Sequence, residues 1–285
     1  MTTTNAGSTG RTRAPSGDLA TYTRETFEHG GNERVIYRKG TGPAVIVITE
    51  MPGMSPMVIG FADRVVELGC TAVLPHMFGD DGRDPFGGGT LAALGYGLRS
   101  IASACISREF TTLAIGKSSP IVNWLRGLAA AEHERCGGPG VGVVGMCFTG
   151  GFALAMAVDE HVLAPVLSQP SVPFPLTTRH KASIDTSPVD LKTVAGRCAV
   201  EGLQVLGLRF DGDPYVPRER FAYLREQLGD GFVAIELQQS DGHPDGPLPR
   251  KHSVLTGDLI DEPGEPTRAA LDQVLDLFRT KLLNG

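Results

Sequence analysis

Four positions in this sequence put reactive side chains where a strand should end: a thiol at Cys147, carboxylates at Glu50 and Asp213, and an imidazole at His243 or His252. The thiol has the sharpest context. Val141-Gly-Val-Val144 is a short β-branched run that reads as a buried parallel strand. It stops at Gly145, and an Ala-rich helix begins after Gly151. The chain must therefore turn from strand to helix within a few residues, with Cys147 at the apex. Such an elbow lifts one side chain above the sheet and sets a helix N-terminus beneath it. Partial positive charge there favours thiolate over thiol. The N–H of Phe148, the next residue, would face a developing oxyanion. The usual elbow has glycine two residues after the nucleophile; here that position is Thr149, with the glycines at Gly150 and Gly151. The plain alternative is a buried cysteine in a packing joint.

The chemistry such groups perform together is nucleophilic catalysis. Sulfur attacks, an imidazole takes or stabilises its proton, and a carboxylate fixes the tautomer of the imidazole. Taken singly, Asp213 in Gly-Asp-Pro is an ordinary turn residue and either histidine an ordinary loop residue. Taken in order, nucleophile then acid then histidine, each after a strand, they follow the α/β-hydrolase arrangement.

The elements that must position these groups alternate along the chain. Glu33–Lys39 reads as an outer strand and Ala44–Ile48 as a central one, leading into Thr49-Glu-Met-Pro-Gly-Met54. A helix is expected over Met57–Gly69, a strand over Cys70–Leu74, and a Gly-rich loop over Asp80–Gly89. Leu91–Ser107 should be helical in part, and Pro120–Glu134 carries apolar residues in helical register. After the elbow come a strand over Val162–Leu167, a mixed stretch over 170–198 that reads as a cap or lid insertion, and a strand over Leu203–Phe210. A helix over Arg218–Leu228, a strand over Phe232–Leu237 and a closing amphipathic helix over Thr267–Leu283 complete the pattern. It predicts an α/β fold, a doubly wound, mostly parallel sheet in one domain over residues 18–285. Ligands of such sheets gather at the carboxyl ends of the strands.

At 285 residues, with 41% hydrophobic and 20% charged side chains, the composition is that of a globular domain with a sizeable core. A net charge of −6 without a Lys/Arg cluster argues against a nucleic-acid surface. Five cysteines without paired spacing argue against a disulfide scaffold or a structural zinc site and suit a reducing, cytoplasmic setting. Residues 1–17 lack an apolar core, so they read as a disordered leader rather than a secretory signal. No apolar run is long enough for a bilayer. The expected partner is a small molecule, with no cofactor or metal, nucleic acid or membrane.

Three stretches resemble the dienelactone hydrolase family of α/β-hydrolases, across roughly residues 34–283. Val45-Ile-Val-Ile-Thr-Glu-Met-Pro-Gly53 is similar to its strand-Glu-x-x-Gly loop. Gly145-Met-Cys-Phe148 resembles its cysteine elbow, and Asp213-Pro-Tyr-Val-Pro217 its acid turn. The resemblance implies an ester or lactone hydrolase in which Cys147 attacks the carbonyl and water cleaves the thioester. It implies an oxyanion held by the N–H groups of Phe148 and Met51. It also implies that Glu50 meets the resting thiol and takes part in its activation, with Asp213 as the acid. Both Ser240-Asp-Gly-His243 and His252-Ser resemble family stretches around the histidine. The segment from His252 to Leu259 reads as an ordered, partly apolar element, and a catalytic imidazole must be held rigidly. His252 is therefore favoured, with His243 at the pocket rim. Met77, Phe78 and Arg83 are expected beside the substrate. The family's arginines for an anionic lactone are replaced by Asp80 and Thr256, which favours a neutral or differently charged ester. The rival functions are a thiol glutaminase using His243-Pro-Asp245, a thiol acyltransferase, and a non-catalytic binding protein of the same fold.

Overall fold

Every residue of Ala44–Ile48 and of Val141–Met146 is buried, because these two neighbouring strands are covered by helices on both faces. The computed structural model describes residues 11–85, 95, 96, 99, 110, 113 and 115–284. Among them, eight strands form one sheet: β1 (Thr23–His29), β2 (Asn32–Lys39), β3 (Ala44–Ile48), β4 (Thr71–Pro75), β5 (Val141–Met146), β6 (Val162–Ser168), β7 (Val205–Phe210) and β8 (Phe232–Leu237). Their order is β1-β2-β4-β3-β5-β6-β7-β8. From β4 to β8 all neighbours are parallel, while the β1–β2 hairpin adds two antiparallel strands at one edge. This is the α/β-hydrolase fold, as the alternating pattern predicts.

The helices are α1 (Pro56–Glu67), α2 (Ile121–Cys136), α3 (Gly150–Met156), the single turn α4 (Thr178–Lys181), α5 (Pro188–Glu201), α6 (Arg218–Leu228) and α7 (Pro266–Phe278). Alternate residues of each strand feed two separate cores, as a period of two requires. Ile46, Ile48 and Val143 pack with Leu125, Phe152, Val194 and Phe221 from α2, α3, α5 and α6. Val45, Val47 and Val144 pack with Val58, Phe61, Leu271 and Phe278 from α1 and α7 on the other side. Strand pairs Ile48↔Gly145 and Met146↔Ser168 bring the carboxyl ends of β3, β5 and β6 level with one another.

Several expectations change. β1 has no counterpart in the sequence reading. Of the leader expected to be disordered over 1–17, residues 11–17 lie against the molecule: Arg13 bridges Ile260, Asp261 N donates to the Thr12 carbonyl at 2.9 Å, and Gly17 N donates to the Pro56 carbonyl at 2.8 Å. Within 170–198, expected as a lid insertion, α5 is instead the crossover between parallel neighbours β6 and β7, with Leu191 and Val194 in the core. The expected helix over Leu91–Ser107 falls outside the described residues, apart from 95, 96 and 99. No described helix is long and apolar enough to cross a membrane.

Candidate active site

Cys147 follows the last residue of β5 and has φ +55°, in the left-handed region that costs an L-residue energy. Gln169, which follows β6, is the other non-glycine residue at positive φ among the described residues, at +36°. Two strained positions on adjacent strand ends mark this as a site where conformation is imposed by the surroundings. The elbow is braced by Thr149, at the position where the usual turn has glycine. Its buried hydroxyl accepts from Met146 N at 3.0 Å and shares its one proton among the carbonyls of Ile48, Thr49 and Met146, at 3.0–3.1 Å. Glycine is required elsewhere: a Cβ on Gly145 would lie 2.2 Å from the Thr149 carbonyl oxygen, and one on Gly150 would lie 2.5 Å from Pro170 Cα.

The acid and the imidazole meet at the ends of β7 and β8. Asp213 Oδ2 lies 2.7 Å from His252 Nδ1, with the two side chains 0% and 5% exposed. The other carboxylate oxygen, Oδ1, accepts from Tyr215 N at 2.8 Å, which fixes the carboxylate on its turn. Burial pushes the His252 imidazole down, but the charge and hydrogen bond of the Cys147 sulfur and those of Asp213 outweigh it, so its pKa lies well above the ordinary histidine value. The sulfur and the Asp213 carboxylate thus act on one ring. The His252 backbone is held by Asp258, whose Oδ2 accepts from His252 N at 2.8 Å and Ser253 N at 3.0 Å.

His243 is elsewhere. It is 2% exposed, its Nε2 lies 3.0 Å from the Arg11 carbonyl oxygen, and its Nδ1 accepts from Asp245 N at 3.2 Å. It ties residue 11 to the 243–258 loop rather than forming a pocket rim. Its ring meets the backbone, not the carboxylate, of Asp245, so the acid–imidazole pair of a glutaminase is not formed there.

Glu50 sits at the end of β3 and is buried. Gln169 Nε2 donates to its Oε2 at 3.0 Å, Ser253 Oγ donates to the same oxygen at 2.9 Å, and Thr256 Oγ1 donates to Oε1. These three donors, and not the Cys147 thiol, engage the carboxyl group, which differs from the expected resting contact. Burial raises the pKa of Glu50, with the Thr256 and Ser253 hydrogen bonds and the charge of His252 pulling the other way. Met51 packs with Cys147 and Phe148 against the same apolar cluster.

A family model for the dienelactone hydrolases matches residues 34–186, more than half of the chain. The chain belongs to the dienelactone hydrolase family. Membership makes it an ester- or lactone-cleaving hydrolase acting on small molecules. The matched stretch holds Glu50 and Cys147, while Asp213 and His252 lie beyond it. Among solved structures, the chain is similar to a dienelactone hydrolase-like promiscuous phosphotriesterase from metagenomic libraries, at 17% identity and TM-score 0.54, covering 92% of this chain and 98% of that one. It is also similar to the 2,6-dihydroxy-pseudo-oxynicotine hydrolase, at 15% identity and TM-score 0.54, covering 90% and 68% respectively. At such identities the likeness is one of fold. No curated protein matches the chain.

For this dienelactone hydrolase family member, the expected substrate-side residues separate into two groups. Met77 and Phe78 are buried, and Phe78 joins an aromatic cluster whose centre is Phe148, with Phe78, Phe110 and Phe174 centroids 5.7, 5.3 and 6.4 Å from the Phe148 ring. Tyr215, half exposed, stands edge-on to His252 at 5.4 Å. Arg83 turns to its own loop: it pairs with Asp80 at 2.8 Å and lies 4.2 Å over the Tyr96 ring. Thr256, in place of an expected arginine, spends its hydroxyl on Glu50. The sequence reading missed Gln169, Ser171, Ser253, Asp258 and Arg220. Only Ser253 and Asp258 had a usable signal, a short polar side chain close to a favoured histidine.

Proposed function

We propose that this protein hydrolyses a carboxylic ester or lactone through a thioester on Cys147, with His252 as the proton-transferring base and Asp213 as its orienting acid. The observation that carries the reading is the 2.7 Å pair between Asp213 Oδ2 and His252 Nδ1, on a ring that the Cys147 sulfur also influences. That pairing leaves Nε2 to exchange a proton with sulfur. Sulfur attacks the substrate carbonyl, and the N–H groups of Phe148 and Met51 stabilise the oxyanion. The alkoxide departs with the proton held by His252, and water then cleaves the thioester. Glu50 acts as a buried carboxyl beneath the site, coupled to the histidine loop through Ser253 and Thr256.

A neutral acyl group is favoured for the substrate. Arg83 is paired with Asp80, and Thr256 carries no charge. The aromatic surroundings of Phe148 suit an apolar acyl or alcohol group. The cytoplasm, where thiols stay reduced, is the compartment in which such a nucleophile persists.

The experiment is hydrolysis of p-nitrophenyl acetate by the wild type and by Cys147→Ala, with iodoacetamide as a second probe. Loss of activity in the variant, by at least about 10³-fold, and inactivation by iodoacetamide support the thiol mechanism. Full activity in Cys147→Ala overturns it. Cys70→Ala, Cys136→Ala and Cys198→Ala should keep activity, since none follows the carboxyl end of a strand: Cys70 precedes β4, its thiol pushed up to about 11 by burial, and Cys136 and Cys198 lie on α2 and α5. Cys105→Ala should keep it too, at a position outside the described residues.

A further inference from the structure

The loop leaving β6 touches the elbow twice through one residue. Ser171 N donates to the Cys147 carbonyl oxygen at 2.9 Å, and Ser171 Oγ lies 3.7 Å from Cys147 Sγ. Ser171 is 1% exposed, so water does not compete for either contact. Its hydroxyl also lies 3.0 Å from the Gln169 carbonyl oxygen. A hydroxyl has one proton and two lone pairs. With the proton on the Gln169 carbonyl, the lone pairs of Oγ face a thiol and accept from it. With the proton turned toward sulfur, the hydroxyl donates to a thiolate. Rotation about one C–O bond exchanges the two states.

The oxygen is held firmly enough for this to matter. Arg220, fully buried on α6, donates to the carbonyls of Pro170 at 2.6 Å and Pro173 at 2.5 Å, on either side of Ser171. It also donates to the carbonyls of Ser183 at 2.7 Å and His180 at 3.2 Å. Gln169 N is fixed on the Leu208 carbonyl at 2.8 Å. A side chain in an orienting shell of this kind is preorganised.

We propose that Ser171 is the hydroxyl partner of the Cys147 sulfur and that it meets the negative charge released when the thioester is broken. The proposal rests on the reading of Cys147 as the nucleophile. In thioester hydrolysis water adds to the acyl carbon and gives one proton to His252. The tetrahedral intermediate then collapses by breaking the C–S bond, and that electron pair goes to sulfur. The product leaves as a carboxylic acid, and a thiolate faces an imidazolium. A hydrogen bond donated by the Ser171 hydroxyl, which keeps its proton, stabilises this thiolate as a leaving group. The same contact makes the attacking thiolate a slightly poorer nucleophile, because nucleophilicity falls as thiolate is stabilised. Ser171 therefore favours deacylation over acylation. Among the described residues, the ionisable group that bears directly on this sulfur is His252, with Asp213 behind it, and the charge of His252 in turn reaches Glu50.

The test compares the wild type with Ser171→Ala and Ser171→Thr. The first readout is the pH profile of Cys147 alkylation by iodoacetamide, which needs no turnover. Removal of a hydrogen bond to a charged group should move its midpoint up by about half to one pH unit. The second is stopped-flow hydrolysis of p-nitrophenyl acetate. In Ser171→Ala the deacylation rate should fall roughly tenfold while acylation changes less than about threefold. The acyl-enzyme then accumulates and is seen by mass spectrometry. Ser171→Thr, which keeps the hydroxyl, should restore both. With circular dichroism showing intact folds, an unchanged alkylation profile and deacylation rate in Ser171→Ala overturns the proposal. Failure of Ser171→Thr to restore them overturns it too, since that marks a packing role. Activity in Cys147→Ala with no acyl-enzyme in the wild type is a different outcome, which removes the nucleophile reading and the proposal together.

Discussion

Asp213→Asn isolates the charge of the acid from its shape, and the structure sets which way the new amide points. Oδ1 of Asp213 accepts from Tyr215 N at 2.8 Å, so the asparagine keeps its carbonyl oxygen there. The amide nitrogen is then forced into the position of Oδ2, 2.7 Å from His252 Nδ1. An NH₂ group can only donate, so Nδ1 must lose its proton and Nε2 must carry one. The imidazole then presents an N–H to sulfur and can no longer accept the thiol proton. The buried pair has no solvent to soften this effect, with the side chains 0% and 5% exposed. The analogous change in a serine-protease triad lowers kcat by about 10⁴, or about 5.5 kcal/mol of transition-state stabilisation. A loss of about 10³–10⁴-fold in kcat/KM is expected here. Asp213→Ala leaves the ring free to choose its tautomer, so the nearly isosteric asparagine should be at least as damaging as alanine. The assay is p-nitrophenyl acetate hydrolysis, with thermal unfolding to show that each variant is folded. A loss below about tenfold, or an asparagine clearly better than alanine, refutes the argument and directs attention to Asp211 or Asp245.

Two further outcomes follow from the histidines. His252→Gln should abolish thioester formation with an activated ester, whereas His243→Gln should keep most activity and instead lower the melting temperature by a few degrees, about 1 kcal/mol, through loss of its contacts to Arg11 and Asp245; the reverse ranking in burst kinetics refutes the assignment. The pKa of His252 is raised on folding, so the folded state binds its proton more tightly and the stability this contributes is fully present below about pH 6.5 and lost as pH rises through the folded value. Thermal unfolding followed upward from pH 6 should show a decline in the wild type that is flatter in His252→Gln, and parallel profiles would remove the linkage.

Legibility in the sequence followed burial and locality. β3, α6 and β8 are bounded as the sequence predicts, each for its own reason: β3 is buried on both faces, so its apolar run is continuous; α6 lies between Pro217 and Gly229; and β8, an edge strand buried at its two ends, begins directly after Gly231. β1 escaped because Thr23–His29 is an edge strand with mostly exposed, charged side chains; its one signal was Gly30-Gly31, both at positive φ, in a hairpin turn. The surroundings of Glu50 were illegible for another reason. Its donors Ser253 and Thr256 lie 203 and 206 residues away, and nothing in either segment specifies a rotamer that crosses from β3 to the loop after β8. Even the arginine-to-threonine difference, visible at position 256, said what was missing and not what the hydroxyl would do.

The elbow carries the same lesson in reverse. Thr149 departs from the glycine of the usual turn, and a pattern match counts the departure as weakness. In the folded chain this is the side chain that knits the turn, because its hydroxyl joins the ends of β3 and β5 through four backbone groups. A glycine there would leave Met146 N and the carbonyls of Ile48 and Thr49 to find other partners in a buried place, at about 1–3 kcal/mol for each group left unpaired. The close approach that glycine normally permits is supplied one residue later by Gly150, under Pro170. Space and hydrogen bonding, which one residue type meets in the usual motif, are here divided between two neighbours. The conformation of Cys147 depends on the turn they jointly hold, and not on the letter at either position.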